Sequence, residues 1–146
     1  RISEGYKADK AACKPMSANA KDVCIEEAKA KEKVARAELE YGYTAKPSDQ
    51  TKLMKVKADS AYAVAKEKCD DKSGNDKRVC VAEAKAVQVK TTTDAKMGEK
   101  ISNTRMDGAQ DKLNADYNVA TQKCDAMAAD AKTACMAAAR AKFGKT

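Results

Sequence analysis

The sequence has no histidine and no tryptophan, one phenylalanine and three leucines among 146 residues. Without histidine, a Ser-His or Cys-His catalytic pair, a Glu-x-x-His di-metal site and the Cys-x-x-Cys-His attachment of haem are all excluded. The close Cys-x2-Cys pairs that zinc sites prefer are also missing. The composition therefore predicts a protein that is not an enzyme and has no catalytic residue, metal site or cofactor.

Bulky apolar side chains are scarce as well. The hydrophobic fraction is 43%, but 30 of those residues are alanine, and the mean hydropathy is −0.70. A buried alanine contributes much less than the roughly 1.5–3 kcal/mol of a buried leucine or phenylalanine. We therefore expect a thin core and a second source of stability.

The chain contains six cysteines, all at Cys-x10-Cys spacing: Cys13/Cys24, Cys69/Cys80 and Cys124/Cys135. A tyrosine precedes the first cysteine of each pair at a constant distance: Tyr6, Tyr62 and Tyr117. Features that recur together at a fixed period indicate an internal repeat, here of about 55 residues. We expect these tyrosines to pack between helices, with stacking on a ligand as the alternative.

An even number of cysteines in a chain with a thin core is typical of a disulfide framework, and hence of an oxidising compartment. Pro15 and the sequence Ser73-Gly74-Asn75 interrupt the helical pattern inside the first two blocks, which favours a disulfide within each of these blocks. The third block has no such breaker, so its turn is predicted from the repeat register alone. Reduced thiols, a zinc site and other cysteine pairings remain open as alternatives.

Helix ends are predicted at equivalent places in the repeat. Asn19, Asn75 and Asp130 are candidate N-caps, and Gly42 and Gly98 are candidate ends of the two long helices. After the linker from Gly42 to Pro47, Ser48 is the next candidate N-cap. The resulting fold is all-α, an antiparallel helical array of three disulfide-stapled αα-hairpins, as an elongated bundle or a short solenoid. We expect one domain, residues 1–146, with units of approximately 1–42, 43–98 and 99–146.

The net charge is +7, but lysines alternate with acidic residues instead of forming one basic run. This pattern is typical of a solvated helix surface, which would still attract anionic polymers weakly. No motif for reading bases is present, so sequence-specific nucleic-acid binding is not expected. No apolar run is long enough to span a membrane. Because the chain opens at Arg1 rather than Met, we expect a removed signal peptide and a periplasmic or extracellular location.

The stretch from Tyr62 to Ala86, YAVAKEKCDDKSGNDKRVCVAEAKA, resembles small exported Ala/Lys-rich proteins of Gram-negative bacteria that carry such Cys-hairpin units. The similarity extends to all three repeats. It implies an exported helical protein and carries over no active site. Our leading hypothesis is a non-enzymatic structural or interaction protein, assembling head-to-tail with itself or binding anionic envelope components. A binding module for an anionic polymer or a small ligand is the alternative.

Overall fold

The computed structural model describes residues 1–145, and these residues form five α-helices and no strand. The helices are α1 (Ile2–Ala12), α2 (Ala18–Thr44), α3 (Pro47–Cys69), α4 (Gly74–Asp125) and α5 (Ala129–Lys142). The predicted all-α fold is confirmed.

Consecutive helices run antiparallel, as side-chain contacts between them demonstrate. The Lys31 ammonium of α2 lies 2.9 Å from the Asp9 carboxylate of α1, near the disulfide that joins the two helices. At the far end of α1, the Arg36 guanidinium donates a 2.9 Å hydrogen bond to the Ser3 hydroxyl. Residue numbers therefore rise along α2 as they fall along α1.

The same opposed numbering holds for the next pairs. Lys52 and Lys68 of α3 form ion pairs of 3.2 and 3.6 Å with Glu40 and Glu27 of α2. The Gln88 amide of α4 donates a 2.8 Å hydrogen bond to the Asp59 carboxylate of α3. At the end of the chain, the Lys145 ammonium donates a 3.0 Å hydrogen bond to Asn114 Oδ1 of α4. These contacts establish the antiparallel array.

Each of the three predicted hairpins carries its own disulfide. The bonds are Cys13–Cys24, Cys69–Cys80 and Cys124–Cys135, with Cα atoms 5.6 to 5.7 Å apart. The third hairpin forms without glycine or proline at its turn, as the repeat register predicts.

The reversal inside each hairpin uses one residue with positive φ at the start of the second helix. Ala18 (φ 51°), Gly74 (φ 56°) and Ala129 (φ 38°) occupy this place, at the same distance before the second cysteine of each pair. The backbone of these residues redirects the chain, so the helix has already begun at the next residue. The predicted N-caps Asn19, Asn75 and Asp130 are therefore wrong, since each lies inside the first turn of its helix.

Proline, and not glycine, ends the long helix of the first repeat. Helix α2 passes through Gly42 to Thr44, and Ala45 caps it with φ 52° and a 2.8 Å bond from its N–H to the Tyr41 carbonyl. Pro47 then opens α3 at its first position, preceded by extended Lys46, so the predictions that Gly42 ends α2 and that Ser48 caps α3 are wrong. Proline is accepted at the first turn of a helix but excludes the helical conformation from the residue before it.

The second repeat has no proline at this place, and its helix does not stop. Helix α4 runs through Gly98, so the predicted break at Gly98 is wrong. A glycine costs a helix only about 1 kcal/mol relative to alanine, which a 52-residue helix tolerates. The predicted unit boundary between Gly98 and Glu99 therefore lies within α4, and the chain divides into two compact units, Arg1–Lys100 and the residues from Ile101 onward.

The core is as thin as the composition predicts. Three half-cystines are its most deeply buried members, namely Cys13, Cys69 and Cys124. The other buried apolar residues of the described chain are four alanines and a single leucine, Leu53. Small side chains let helices approach closely, but they contribute little burial energy, so the disulfides lie where a larger protein would place bulky residues.

Candidate interaction surfaces

The repeated tyrosines lie at interhelical positions and have lysine neighbours. The Tyr62 ring lies 5.2 Å from the Lys85 ammonium of α4, and the Tyr6 ring lies 5.9 Å from the Lys10 ammonium within α1. All three tyrosines are half-buried. A cation over an aromatic face is attracted by the ring quadrupole, with about 0.5–1 kcal/mol at exposed sites.

Tyr117 has the most complete surroundings of the three. Its ring meets the Phe143 ring edge-on at 5.9 Å, and the Lys145 ammonium lies 5.5 Å from the Tyr117 centroid. Phe143 is the sole phenylalanine of the chain. The pair fastens the end of α5 onto α4.

Two open grooves border the first two tyrosines. One, of about 580 Å³, lies between α1 and α2 and is lined by Ile2, Tyr6, Ala35 and Leu39 with charged residues at its rim. The other, of about 290 Å³, lies between α3 and α4 and is lined by Ala58, Tyr62, Ala84 and Val87 among others. Both are mostly apolar and open to solvent, unlike the enclosed pockets that bury most of a small ligand.

Carboxylates gather at the turn between α3 and α4. Partial desolvation and the neighbouring Asp70 raise the pKa of Glu67, and the Lys77 ammonium, 3.1 Å away, lowers the pKa of Asp70. Within α2, a hydrogen bond to Glu26 raises the pKa of Lys29. Each shift therefore has a neighbouring charged group among its causes.

Eight of the twelve exposed bulky apolar side chains among residues 1–145 lie on helix α4. Several of its bulky side chains are about half exposed or more, including Val87 at 62%, Met97 at 56%, Met106 at 54% and Ile101 and Val89 at 51% each. Single exposed apolar side chains are common on protein surfaces, whereas several on one helix favour contact with a partner. Sequence reasoning missed this surface, because it expected the helix to end at Gly98.

Within residues 1–145, no group of three or more Asp, Glu or Cys side chains is arranged to hold a metal ion. In the same part of the chain, no helix is both long enough and apolar enough to cross a bilayer.

Comparison of the chain with models of protein families, with curated proteins and with solved structures finds no match. The surfaces described above must therefore be interpreted from their own geometry.

Proposed function

We propose that this protein is a non-enzymatic structural or interaction protein of the periplasm or the cell exterior, which offers helix faces to a protein partner. The observation that supports this proposal is the distribution of its bulky apolar residues. Among residues 1–145, Leu53 is the one leucine in the core, whereas twelve large apolar side chains lie exposed. A chain with so few bulky residues would gain most by burying them within itself, so their exposure favours burial against a partner.

An oxidising location is supported by the disulfides in the core. All six cysteines form disulfides, and three of the half-cystines are the most buried residues present. A protein of this kind would lose its main crosslinks in a reducing cytosol.

The compartment is tested by trapping thiols in the native host. Cells are precipitated with trichloroacetic acid to preserve the native thiol state, the protein is dissolved in denaturant with a thiol-reactive polyethylene glycol maleimide and without reductant, and it is detected by its mass shift. We expect no shift before reduction and a shift for six thiols after denaturation and reduction. Labelling of the unreduced protein would contradict an oxidising location.

The interaction role is tested by crosslinking in the same cells, followed by mass spectrometry of the crosslinked peptides. We expect crosslinks from lysines of α4 to another polypeptide chain. Protein that keeps the 15.7 kDa mass of a single chain after crosslinking would contradict the proposal.

The α1–α2 groove supports small-ligand binding as the second candidate function. The groove is open to solvent, but its mostly apolar lining with Tyr6 and charged residues at its rim could hold one face of an aromatic or amphipathic molecule. Native mass spectrometry of protein purified from its host is expected to detect bound mass if this function is correct, and Tyr6→Ala should release it. Protein of the bare chain mass would contradict it.

A further inference from the structure

The groove beside Tyr6 and the groove beside Tyr62 are formed by equivalent positions of the first two repeats. Each is lined by the tyrosine seven residues before the first cysteine of the hairpin and by the residue eight positions after the second cysteine. Tyr6 and Glu32 have these places in the first repeat, and Tyr62 and Gln88 have them in the second. Both grooves lie within the unit Arg1–Lys100.

The third repeat has an aromatic residue at each of the same two positions. Tyr117 lies seven residues before Cys124, and Phe143 lies eight residues after Cys135. Their ring centroids are 5.9 Å apart and their planes are inclined by 69°, the edge-to-face arrangement that aromatic pairs prefer. In the third repeat, an aromatic ring therefore has the place that borders an open groove in the other two.

Gln88 leaves this place open in the second repeat, because its amide is held by polar neighbours. The amide donates a 2.8 Å hydrogen bond to the Asp59 carboxylate, and its oxygen accepts a 2.8 Å hydrogen bond from the Lys85 ammonium. Among residues 1–145, Tyr117 is the one repeated tyrosine that pairs with another ring. Tyr62 therefore has the position but not the partner of Tyr117.

The groove between α3 and α4 has the size and the lining that a ring requires. Its volume is about 290 Å³, whereas an apolar cavity of about 150 Å³ already holds benzene. Apart from Tyr62, most of its lining residues are small and apolar.

The charges at this groove are positive. Lys57 is the one charged residue that lines it, and the Lys85 ammonium lies 5.2 Å from the Tyr62 centroid. Lys57 also forms a 3.5 Å ion pair with Glu38 of α2, an exposed contact that leaves the ammonium accessible to other anions. The α1–α2 groove, in contrast, has charges of both signs. The α3–α4 groove therefore favours a ring with negative charge beside it.

We propose that the α3–α4 groove binds an aromatic side chain of a polypeptide partner, namely a phenylalanine with acidic neighbours. Its ring lies against Tyr62 as the Phe143 ring lies against Tyr117. This inference rests on the proposed function as an interaction protein, and it identifies the side chain by which the partner is recognised.

A polypeptide is favoured over a free small molecule because the groove is open to solvent. Small-ligand sites bury most of the ligand surface, whereas this groove covers only one side of a ring. A side chain is additionally held by the polypeptide that carries it, as α5 holds Phe143. That support lowers the entropy that the ring loses on binding.

The experiment is a nuclear magnetic resonance titration of the full chain, with its disulfides intact, by the peptide N-acetyl-Asp-Phe-Asp-amide. We expect saturable shifts of the Tyr62 ring signals. The same peptide with leucine in place of phenylalanine should bind about 2- to 10-fold more weakly, because it lacks the edge-to-face contact. Lysine in place of both aspartates should weaken binding of the phenylalanine peptide about 3-fold or more at low salt.

Three variants locate the site. Gln88→Phe gives the second repeat the ring that the third repeat has, so the groove is filled and peptide affinity should fall about 10-fold or more. Gln88→Ala removes the same hydrogen bonds without adding a ring and should keep the affinity within about 3-fold. Val89→Phe is the matched control, because it adds the same ring at an exposed neighbouring residue that does not line the groove, and it should keep the affinity within about 2-fold.

Tyr62→Leu provides a test that does not depend on filling the groove. This variant keeps an apolar side chain but removes the ring, so the phenylalanine and leucine peptides should bind it with equal affinity within about 2-fold.

The outcomes are distinct. Equal binding of the two peptides by the wild-type protein would overturn the inference, and so would binding that Gln88→Phe leaves intact. Phenylacetate that binds as tightly as the phenylalanine peptide would overturn the polypeptide partner in favour of a small molecule. The proposed function would survive each of these results if the crosslinking experiment found a partner chain. A preference for phenylalanine that Tyr62→Leu removes and Gln88→Phe blocks would support the inference.

Discussion

Replacing Ala18 by glycine is expected to stabilise this protein, although the same substitution ordinarily weakens a helix. Ala18 begins α2 with a φ of 51°, in the left-handed region. A residue with a Cβ atom pays about 1–2 kcal/mol in that region, because Cβ approaches the following carbonyl oxygen. Glycine removes this strain but gains about 0.4–1 kcal/mol of conformational freedom in the unfolded chain. The net increase in the free energy of unfolding is about 0.5–1 kcal/mol.

The assay is thermal unfolding followed by circular dichroism, with a neighbouring alanine as control. Ala20 is also exposed and lies in the same first turn of α2, but it has no positive φ. Ala18→Gly should raise the melting temperature by about 2–4 °C, whereas Ala20→Gly should lower it by a similar amount.

Gly74 provides the reciprocal experiment, because it has the equivalent place in the second repeat and a φ of 56°. A Cβ added there would meet nothing within 4 Å, so Gly74→Ala measures the backbone cost alone, and we expect a loss of about 0.5–1 kcal/mol. Equal destabilisation by Ala18→Gly and Ala20→Gly, or no loss from Gly74→Ala, would refute the reasoning.

Three further predictions concern the staples, the hairpin charges and the core. Replacing Cys69 and Cys80 together by alanine should lower the free energy of unfolding by about 3 kcal/mol in denaturant titrations, because the disulfide closes a loop of about 12 residues in the unfolded chain. A change below about 1 kcal/mol would contradict this value. The lowered pKa of Asp70 stabilises the folded protein above the ordinary carboxyl pKa of 3.8, and this contribution is lost as the pH falls through the lowered value. Asp70→Asn should therefore make the free energy of unfolding depend less on pH in the acid range. An unchanged pH dependence would count against the ion pair. Leu53→Ala should lower the free energy of unfolding by about 2–3 kcal/mol, because Leu53 is only 7% exposed. Leu39→Ala, at 55% exposure, should change it by less than about 0.5 kcal/mol, and equal effects would show that Leu53 is not part of the core.

The pairing of the cysteines could be predicted from the sequence because its causes are local. Pro15 breaks the helix between Cys13 and Cys24, and a helix break forces the chain to reverse between cysteines that a straight helix would hold far apart. The third pair followed from the repeat register alone. The thin core was predictable for a similar reason, since a chain with three leucines has little else to bury.

Helix α3 has buried residues on two faces. Ala58 and Cys69 are buried on one face, and Leu53 and Ser60 are buried on the other. A helix with one neighbour needs only one apolar face. Helix α3 contacts α2 on one side and α4 on the other, and only the tertiary arrangement specifies both.

The sequence by itself determined the helices, the hairpin staples and the antiparallel order, because helical periodicity, proline and cysteine spacing act over a few residues. The tertiary structure decided where the long helices end and which side chains remain uncovered. Gly42 and Gly98 look equivalent in the sequence, yet Pro47 turns the chain in one repeat while α4 continues in the other. Glycine only weakens a helix, whereas proline prevents the preceding residue from joining it. That difference is the reason that α2 ends before Pro47 whereas α4 continues past Gly98.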